Sequence, residues 1–194
     1  MPININKLIV EWEFYRMIKD VPGSIVECGV FRGASLLCLA LCRKVADNYR
    51  SLIGFDTFTE FPEATYEADK EPRERFLDLN GDKNFTVEET KKLLSDNGGG
   101  WAYLIKGDVC ETVPAYTKYN SDMRIALLNL DIDLYEPSKV VLEHFAPLMS
   151  PGGIIICDDY NVFPGETKAV DEYMEEHNLE IKRLDLFPAY YIKV

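Results

Sequence analysis

The sequence predicts an α/β fold: a mostly parallel, seven-stranded sheet with one antiparallel strand and helices on both faces. Two observations support this fold class. Short apolar runs of the kind that form buried parallel strands alternate along the chain with helical stretches. Only residues 187–188 join the last two runs, and so short a link forces an antiparallel hairpin because a parallel return needs a longer crossover. We expect residues 1–194 to form one domain.

The first part of the chain is predicted to alternate helices and strands. A helix at residues 5–19 precedes a strand at residues 24–28, and an apolar helix at residues 34–46 precedes a strand at residues 51–56. Residues 57–84 are acidic, irregular and interrupted by prolines, so we expect a lid or a substrate-facing insertion there. A solvated loop is the alternative for this segment.

The rest of the chain continues the same alternation. Thr86 and Glu89 have the spacing of a capping box, which begins a helix that ends at the glycine run 98–100. The remaining predicted elements are a strand at 101–106, a short helix after residue 111, a strand ending at residue 131, a helix from Pro137 to residue 149, a strand at 153–158, a helix at 167–177, and strands at 181–186 and 189–193.

Composition limits the kinds of partner. The net charge of −12 repels the phosphates of nucleic acids and of anionic membranes. Five cysteines without close pairing argue against a disulfide scaffold and against a zinc ribbon. No apolar run is long enough to cross a bilayer, and the N-terminus lacks the features of a signal peptide. We therefore expect a cytoplasmic protein with a small-molecule partner and with no nucleic-acid or membrane partner. The composition leaves open whether the chain forms a homo-oligomer.

A glycine-containing turn follows the first predicted strand, in residues 27–35 (ECGVFRGAS). Gly29 and Gly33 would let the backbone approach a ligand closely, and the next helix would offer free N–H groups to a carboxylate or phosphate. Glu27 could pair with an amino group. The turn is neither a phosphate-binding loop nor a full Gly-x-Gly-x-x-Gly fingerprint, and a tight strand-to-helix turn is the alternative.

Acidic residues also close the second and third predicted strands. Asp56 stands where an acidic residue commonly accepts hydrogen bonds from both hydroxyls of a ribose, and Asp108 stands close to where an adenine edge would fall. Each could instead cap the helix that follows it. With Glu27, they favour one positively charged, adenosine-containing ligand across three strand ends.

Two apolar runs each end in a pair of aspartates, Asp131 with Asp133 and Asp158 with Asp159. Parallel sheets place ligand chemistry beyond the carboxyl ends of their strands, so these four carboxylates should lie near one another. Clustered like charges are costly unless a cation neutralises them, and a hard divalent ion is the simplest partner. Helix capping and solvated strand ends are the alternative.

Four stretches of the sequence resemble one known family. They are residues 26–33 (VECGVFRG), 54–58 (GFDTF), 131–136 (DIDLYE), and 158–160 (DDY) with residues 164–171. Together they are similar to the macrocin O-methyltransferases, enzymes that methylate sugar hydroxyls with S-adenosylmethionine and a bound magnesium ion. The resemblance runs from about residue 26 to residue 173.

The resemblance implies a Rossmann-like methyltransferase domain with S-adenosylmethionine and Mg²⁺, or another divalent cation, as cofactors. The residues that match the family's cofactor site are Glu27, Gly29, Gly33, Ser35 and Asp56. Those that match its metal ligands are Asp131, Asp158 and Asp159.

The implied reaction is methyl transfer to a hydroxyl of a sugar, a nucleotide-sugar or a glycosylated small molecule. The metal would lower the pKa of the acceptor oxygen, and Asp131 or Asp133 would take its proton. Two alternatives remain. One is a metal-dependent nucleotide-sugar glycosyltransferase, in which Asp-x-Asp holds a diphosphate, and the other is an inactive protein that binds an adenosine ligand.

Overall fold

The computed structural model describes residues 5–46 and 50–194. Its strands are β1 (Ser24–Cys28), β2 (Leu52–Asp56), β3 (Tyr103–Lys106), β4 (Ile125–Leu130), β5 (Met149–Cys157), β6 (Ile181–Arg183) and β7 (Tyr190–Lys193). They form one sheet in the order β3-β2-β1-β4-β5-β7-β6. Strand β7 runs antiparallel to both of its neighbours, β5 and β6. The pairs that the first five strands form with one another are all parallel. The predicted fold class is confirmed, including the reversed strand in the C-terminal hairpin.

Helices cover both faces of this sheet. They are α1 (Ile5–Met17), α2 (Ala34–Val45), α3 (Glu67–Asn80), α4 (Val87–Asp96), α5 (Val109–Tyr119), α6 (Tyr135–Phe145) and α7 (Pro164–His177), with a short 3₁₀ turn at Ala146–Leu148. One buried apolar cluster packs α1, α2 and α4 against the sheet, and a second packs α5, α6 and α7 against its other face. Successive strand side chains point to opposite faces, so β1, β2, β4 and β5 each contribute to both clusters.

Two helix starts follow directly from capping chemistry. The hydroxyl of Thr86 accepts a hydrogen bond from the Glu89 N–H at 3.1 Å, and the Glu89 carboxylate accepts one from the Thr86 N–H at 2.8 Å, so the predicted capping box is present. Asp108 caps α5 by accepting a hydrogen bond from the Cys110 N–H at 2.8 Å. Helix α5 therefore begins at Val109, earlier than the predicted start after residue 111.

The boundary between α6 and β5 differs from the prediction. Helix α6 ends at Phe145 rather than at residue 149, and β5 already begins at Met149. The reason is Pro147, which has no N–H to donate to the preceding turn and leaves room only for the 3₁₀ turn. The predicted end of the helix, at residue 149, and the predicted start of the strand, at residue 153, were both wrong.

The segment between β2 and α4 was expected to be irregular, but it contains the 14-residue helix α3. Its first turn carries Glu67 and Asp69, and negative charge at this position stabilises a helix through the helix dipole. Pro72 lies inside the helix and removes one backbone donor. The proposed lid function of the segment stays a prediction.

Among residues 5–46 and 50–194, no helix combines the length and the apolar character that crossing a bilayer requires.

Candidate active site

The parallel ladder brings the predicted site residues to one edge of the sheet. Cys28 lies level with Leu130 of β4, and Leu130 lies level with Cys157 of β5. The ladder continues one residue beyond each strand, since the Asp131 N–H donates to the Cys28 carbonyl at 3.0 Å and the Asp158 N–H donates to the Leu130 carbonyl at 3.0 Å. The two aspartate pairs therefore begin side by side on adjacent strands.

Three of these carboxylates form a compact cluster. Asp131, Asp158 and Asp159 each offer an oxygen, and these oxygens lie within 4.8 Å of one another. Burial raises the pKa of Asp131 well above its usual range, and the neighbouring Asp158 charge raises it further. Burial also raises the pKa of Asp159, to about 6. We call these three residues the acidic cluster.

A lysine from a distant part of the chain approaches the acidic cluster. The Lys7 ammonium in the first turns of α1 lies 3.0 and 2.9 Å from the two carboxylate oxygens of Asp158 and 3.6 Å from an oxygen of Asp131. Burial by itself would lower the pKa of Lys7, but the carboxylates of Asp131, Asp158 and Glu11 raise it, so the side chain stays charged. Lys7 was not predicted as a site residue, because 151 residues separate it from Asp158.

Asp133 lies beside the cluster in a conformation of its own. Its φ is +69°, in the left-handed region that L-residues rarely adopt. Its carbonyl accepts a hydrogen bond from the Glu166 N–H at 3.1 Å, which fixes the turn to the start of α7. Burial, the Asp159 charge and a hydrogen bond shared with Asp159 raise the pKa of Asp133 well above its usual range.

Glu166 supports the cluster from behind and was also missed. It is fully buried, and one of its carboxylate oxygens accepts a hydrogen bond from the Asp159 N–H at 3.0 Å. Its other oxygen has no hydrogen-bond partner among the described residues. An acidic residue in the first turn of a helix, directly after the second aspartate pair, was the available signal.

The glycine turn after β1 is shaped by close approach of the backbone. Gly29 has a φ of +91°, and a Cβ there would lie 1.5 Å from the carbonyl oxygen of Asp131. Gly33, with a φ of +74°, precedes α2. The turn thus needs glycine at residue 29 for contact with the loop that carries the first aspartate pair.

Glu27 is a buried acid with an incomplete set of partners. It is fully buried on β1, and one carboxylate oxygen accepts a hydrogen bond from the hydroxyl of Ser35. The other oxygen has no hydrogen-bond partner within the described ranges. Burial raises the pKa of Glu27 to about 8. A buried carboxylate in this state is suited to receive a cation.

Asp56 holds two loops together. One carboxylate oxygen accepts hydrogen bonds from the N–H groups of Val30 and Phe31, each at 2.8 Å. The other oxygen accepts hydrogen bonds from the Phe58 N–H at 2.7 Å and the Asn84 amide at 3.1 Å. A ribose would have to share these oxygens with backbone donors. The predicted contact between Asp56 and a ribose stays a prediction.

Asp108 follows β3, and strands β2 and β1 lie between β3 and β4. It is exposed, and its observed contact is the cap on α5 described above. The alternative of helix capping is therefore realised for this residue. Its predicted contact with an adenine edge stays a prediction.

Comparison with known proteins places this arrangement in a family. The profile described as Macrocin-O-methyltransferase (TylF) matches residues 14–193. The chain belongs to the macrocin O-methyltransferase family. It is thereby one of the S-adenosylmethionine-dependent O-methyltransferases, which decides against the glycosyltransferase alternative.

Two curated relatives of this family member are O-methyltransferases by their names, and one of the names specifies a rhamnosyl group. The mycinamicin III 3''-O-methyltransferase of Micromonospora griseorubida is 30% identical over 178 residues, which cover 88% of this chain and 68% of the relative. The 8-demethyl-8-(2,3-dimethoxy-alpha-L-rhamnosyl)-tetracenomycin-C 4'-O-methyltransferase of Streptomyces olivaceus is 33% identical over 150 residues, which cover 73% of this chain and 54% of the relative. The chain thus spans between about half and two thirds of these relatives.

Solved structures of similar O-methyltransferases share the fold. The calicheamicin methyltransferase CalS11 aligns with a TM-score of 0.76 and 31% identity, covering 97% of this chain and 79% of CalS11. The O-methyltransferase NovP aligns with a TM-score of 0.83 and 25% identity, covering 98% of this chain and 80% of NovP.

In this O-methyltransferase, α3 is tied to both aspartate loops by one residue that the sequence analysis did not single out. Asp69 is fully buried and accepts hydrogen bonds from the Tyr135 N–H at 2.9 Å and the Gly165 N–H at 2.7 Å. These donors belong to the starts of α6 and α7, which follow the first and second aspartate pairs. The segment that carries α3 therefore borders the acidic cluster.

A groove of about 540 Å³ lies next to this junction. Tyr66 lines it from the start of α3, and the first turns of α7 line its other side. The ammonium of Lys168 lies 4.7 Å from the ring centre of Tyr66 and 4.1 Å from that of Tyr135, in the geometry of a cation–π contact. The groove has the aromatic and charged lining that suits a polar organic molecule.

Proposed function

We propose that this protein transfers a methyl group from S-adenosylmethionine to a hydroxyl of a sugar, a nucleotide-sugar or a glycosylated small molecule, assisted by a divalent cation. The observation that carries this proposal is the acidic cluster, formed by two adjacent strand ends of a methyltransferase sheet. The names of the relatives support the acceptor class, since the name of the tetracenomycin enzyme specifies a rhamnosyl group and CalS11 is a TDP-rhamnose 3'-O-methyltransferase.

The cofactor would lie across the ends of β1, β2 and β3. Glu27 offers a buried, incompletely partnered carboxylate to the α-ammonium group of the amino-acid moiety. The predicted contacts of the remaining residues belong to the same proposal. They are the glycine turn at Gly29 and Gly33 with Ser35 at the start of α2, Asp56 toward the ribose, and Asp108 toward the adenine.

The acidic cluster fits a hard divalent cation such as Mg²⁺. Asp131, Asp158 and Asp159 offer oxygen ligands, which Mg²⁺ and Ca²⁺ prefer in proteins. A positive charge already lies against them, because the Lys7 ammonium contacts the Asp158 carboxylate where a metal cation would bind. A bound divalent cation would hold the acceptor hydroxyl and polarise it.

Asp133 is the carboxylate we assign as general base, with Asp131 occupied as a metal ligand. It lies beside the cluster with its side chain hydrogen-bonded to Asp159, and it is not one of the proposed metal ligands, so its carboxylate is left to take the proton. As the acceptor oxygen attacks the methyl carbon, a C–O bond forms and the C–S bond of the sulfonium breaks. The hydroxyl proton passes to Asp133, leaving a methyl ether and S-adenosylhomocysteine.

The test combines binding and turnover on three variants. Isothermal titration of the wild-type protein with S-adenosylhomocysteine and with Mg²⁺ should show both ligands binding, and methyl transfer to TDP-rhamnose or mycinamicin III should be measurable. Asp133→Asn should lower turnover by about 10²–10⁴-fold while both ligands still bind. Asp158→Ala should abolish turnover and Mg²⁺ binding while S-adenosylhomocysteine affinity stays nearly unchanged.

The exposed Asp78→Asn on α3 is the matched control and should behave as wild type. Binding of S-adenosylhomocysteine without Mg²⁺ would overturn the metal-assisted part of the proposal. Failure of S-adenosylhomocysteine to bind would overturn the proposed cofactor site. Binding of that ligand with no turnover on any sugar-bearing acceptor would favour the inactive protein that binds an adenosine ligand.

A further inference from the structure

We propose that Lys7 is the resident cation of the acidic cluster and that a divalent cation binds there only by displacing it. The displaced ammonium then pairs with Glu11, one helical turn along α1. This inference rests on the proposed metal site. It gives helix α1 a function in cation binding that the sequence motifs do not indicate.

The geometry makes the two cations mutually exclusive. The Lys7 ammonium lies within 3.0 Å of both carboxylate oxygens of Asp158, so it uses the oxygens that a metal would bind. A Mg²⁺ ion needs its oxygen ligands at about 2.0–2.1 Å and would lie within a few ångströms of the ammonium. The double charge of Mg²⁺ and the single charge of the ammonium would repel each other strongly at that separation in a partly buried site.

The contacts of Lys7 show that its position is specific to the cluster. Its side chain is 26% exposed, compared with 74% for Lys19 in the turn that follows α1, which pairs with Asp20. Lys7 also lies 3.6 Å from Asp131, so it contacts both aspartate loops. A lysine that was only a solvated surface charge would not span two ligands of one predicted site.

Glu11 is the second place for the ammonium. It lies four residues after Lys7 on α1, at the spacing at which oppositely charged side chains meet on a helix. Glu11 is 1% exposed, and one of its carboxylate oxygens has no hydrogen-bond partner in the part of the chain that the structure describes. A buried carboxylate oxygen without a partner is costly, so an arriving ammonium would find a vacant acceptor there.

The first experiment measures divalent-cation affinity by isothermal titration with Mg²⁺ and by electron paramagnetic resonance with Mn²⁺. Removing the competing charge in Lys7→Gln should tighten binding by about tenfold or more over wild type. Lys19→Gln changes the net charge equally and should leave affinity within about twofold, because its charge is remote and solvent-exposed. Equal affinities for Lys7→Gln and Lys19→Gln would overturn the inference.

A double-mutant cycle tests the role of Glu11. Glu11→Gln should weaken Mn²⁺ binding in the wild-type background and should have a much smaller effect in the Lys7→Gln background, where no ammonium needs a new partner. The same weakening in both backgrounds would show that Glu11 acts only as a remote negative charge, and would overturn its assignment.

A crystal structure of the wild-type protein with Mn²⁺ keeps the test independent of variant folding. We expect the Lys7 ammonium to leave Asp158 and lie within hydrogen-bond distance of Glu11. An ammonium that still contacts Asp158 beside bound Mn²⁺ would overturn the inference while supporting the proposed function. No Mn²⁺ binding by wild type, Lys7→Gln or Lys19→Gln would overturn the metal site itself, and with it this inference.

Discussion

The acidic cluster is built from the ends of two adjacent parallel strands, and the side chains of Lys7 and Glu166 reach it from helices α1 and α7. The carboxylates at 131, 158 and 159 could be predicted because parallel strands always present their carboxyl ends at one edge. Lys7 carries no such pattern, because its role depends on helix α1 passing the cluster. Glu166 did carry a signal, as an acidic residue in the first turn of the helix that follows the second aspartate pair. Sequence separation explains only Lys7, which is 151 residues from Asp158, since Glu166 is seven residues from Asp159.

At the scale of single residues, we predict that Glu27→Gln stabilises the ligand-free protein at alkaline pH. Burial raises the pKa of Glu27 from 4.5 to about 8, so folding favours its protonated form. That stability is present in full below pH 4.5 and is lost as the pH rises through about 8. Glutamine has no charge to bury, so at pH 9 the variant should be more stable by a few kcal/mol.

Urea denaturation at pH 5 and pH 9 measures this difference, and Glu74→Gln, at an exposed position on α3, is the control. The same substitution should weaken S-adenosylhomocysteine binding roughly tenfold by removing the charge offered to its ammonium group. A variant with the pH profile of the wild-type protein would contradict the assigned burial cost.

At the scale of elements, the capping box predicted one helix start, whereas the predicted starts of α5, α6 and α7 were late by two or three residues and α3 was not predicted at all. The box at Thr86 and Glu89 was predicted and is present. Helix α3 was not predicted, because its acidic sequence has little apolar periodicity and its position depends on Asp69, which contacts residues 66 and 96 positions away. Tertiary contact, more than local propensity, holds this helix in place.

We therefore predict that Asp69→Ala releases α3 from the sheet edge. The substitution leaves the N–H groups of Tyr135 and Gly165 without their acceptor, which should cost about 2–4 kcal/mol in the free energy of unfolding. Hydrogen exchange should accelerate most in residues 67–80. Asp78→Ala on the exposed side of the same helix should cost less than about 0.5 kcal/mol. Equal protection of α3 in both variants would refute this anchoring role.

At the scale of the whole molecule, sheet order and charge act together. The strand order places β1, β4 and β5 side by side, so the carboxylates meet in a protein that already carries a net charge of −12. The reversed strand and the helices on both faces followed from loop length and periodicity. The convergence of like charges destabilises the folded state. A ligand that binds only the folded state should therefore raise the free energy of unfolding.

The last prediction concerns this linkage. At a Mg²⁺ concentration of about 100 Kd, binding at the acidic cluster should add about 2.7 kcal/mol to the free energy of unfolding. For a chain of this length the melting temperature should rise by about 5–10 °C. Sodium chloride at matched ionic strength should give a smaller rise, because it screens the net charge without binding the cluster. In Asp159→Asn, the Mg²⁺ rise should fall to the level of the sodium chloride control. An equal response of that variant and the wild-type protein would show that Mg²⁺ acts on the overall negative charge instead of on the cluster.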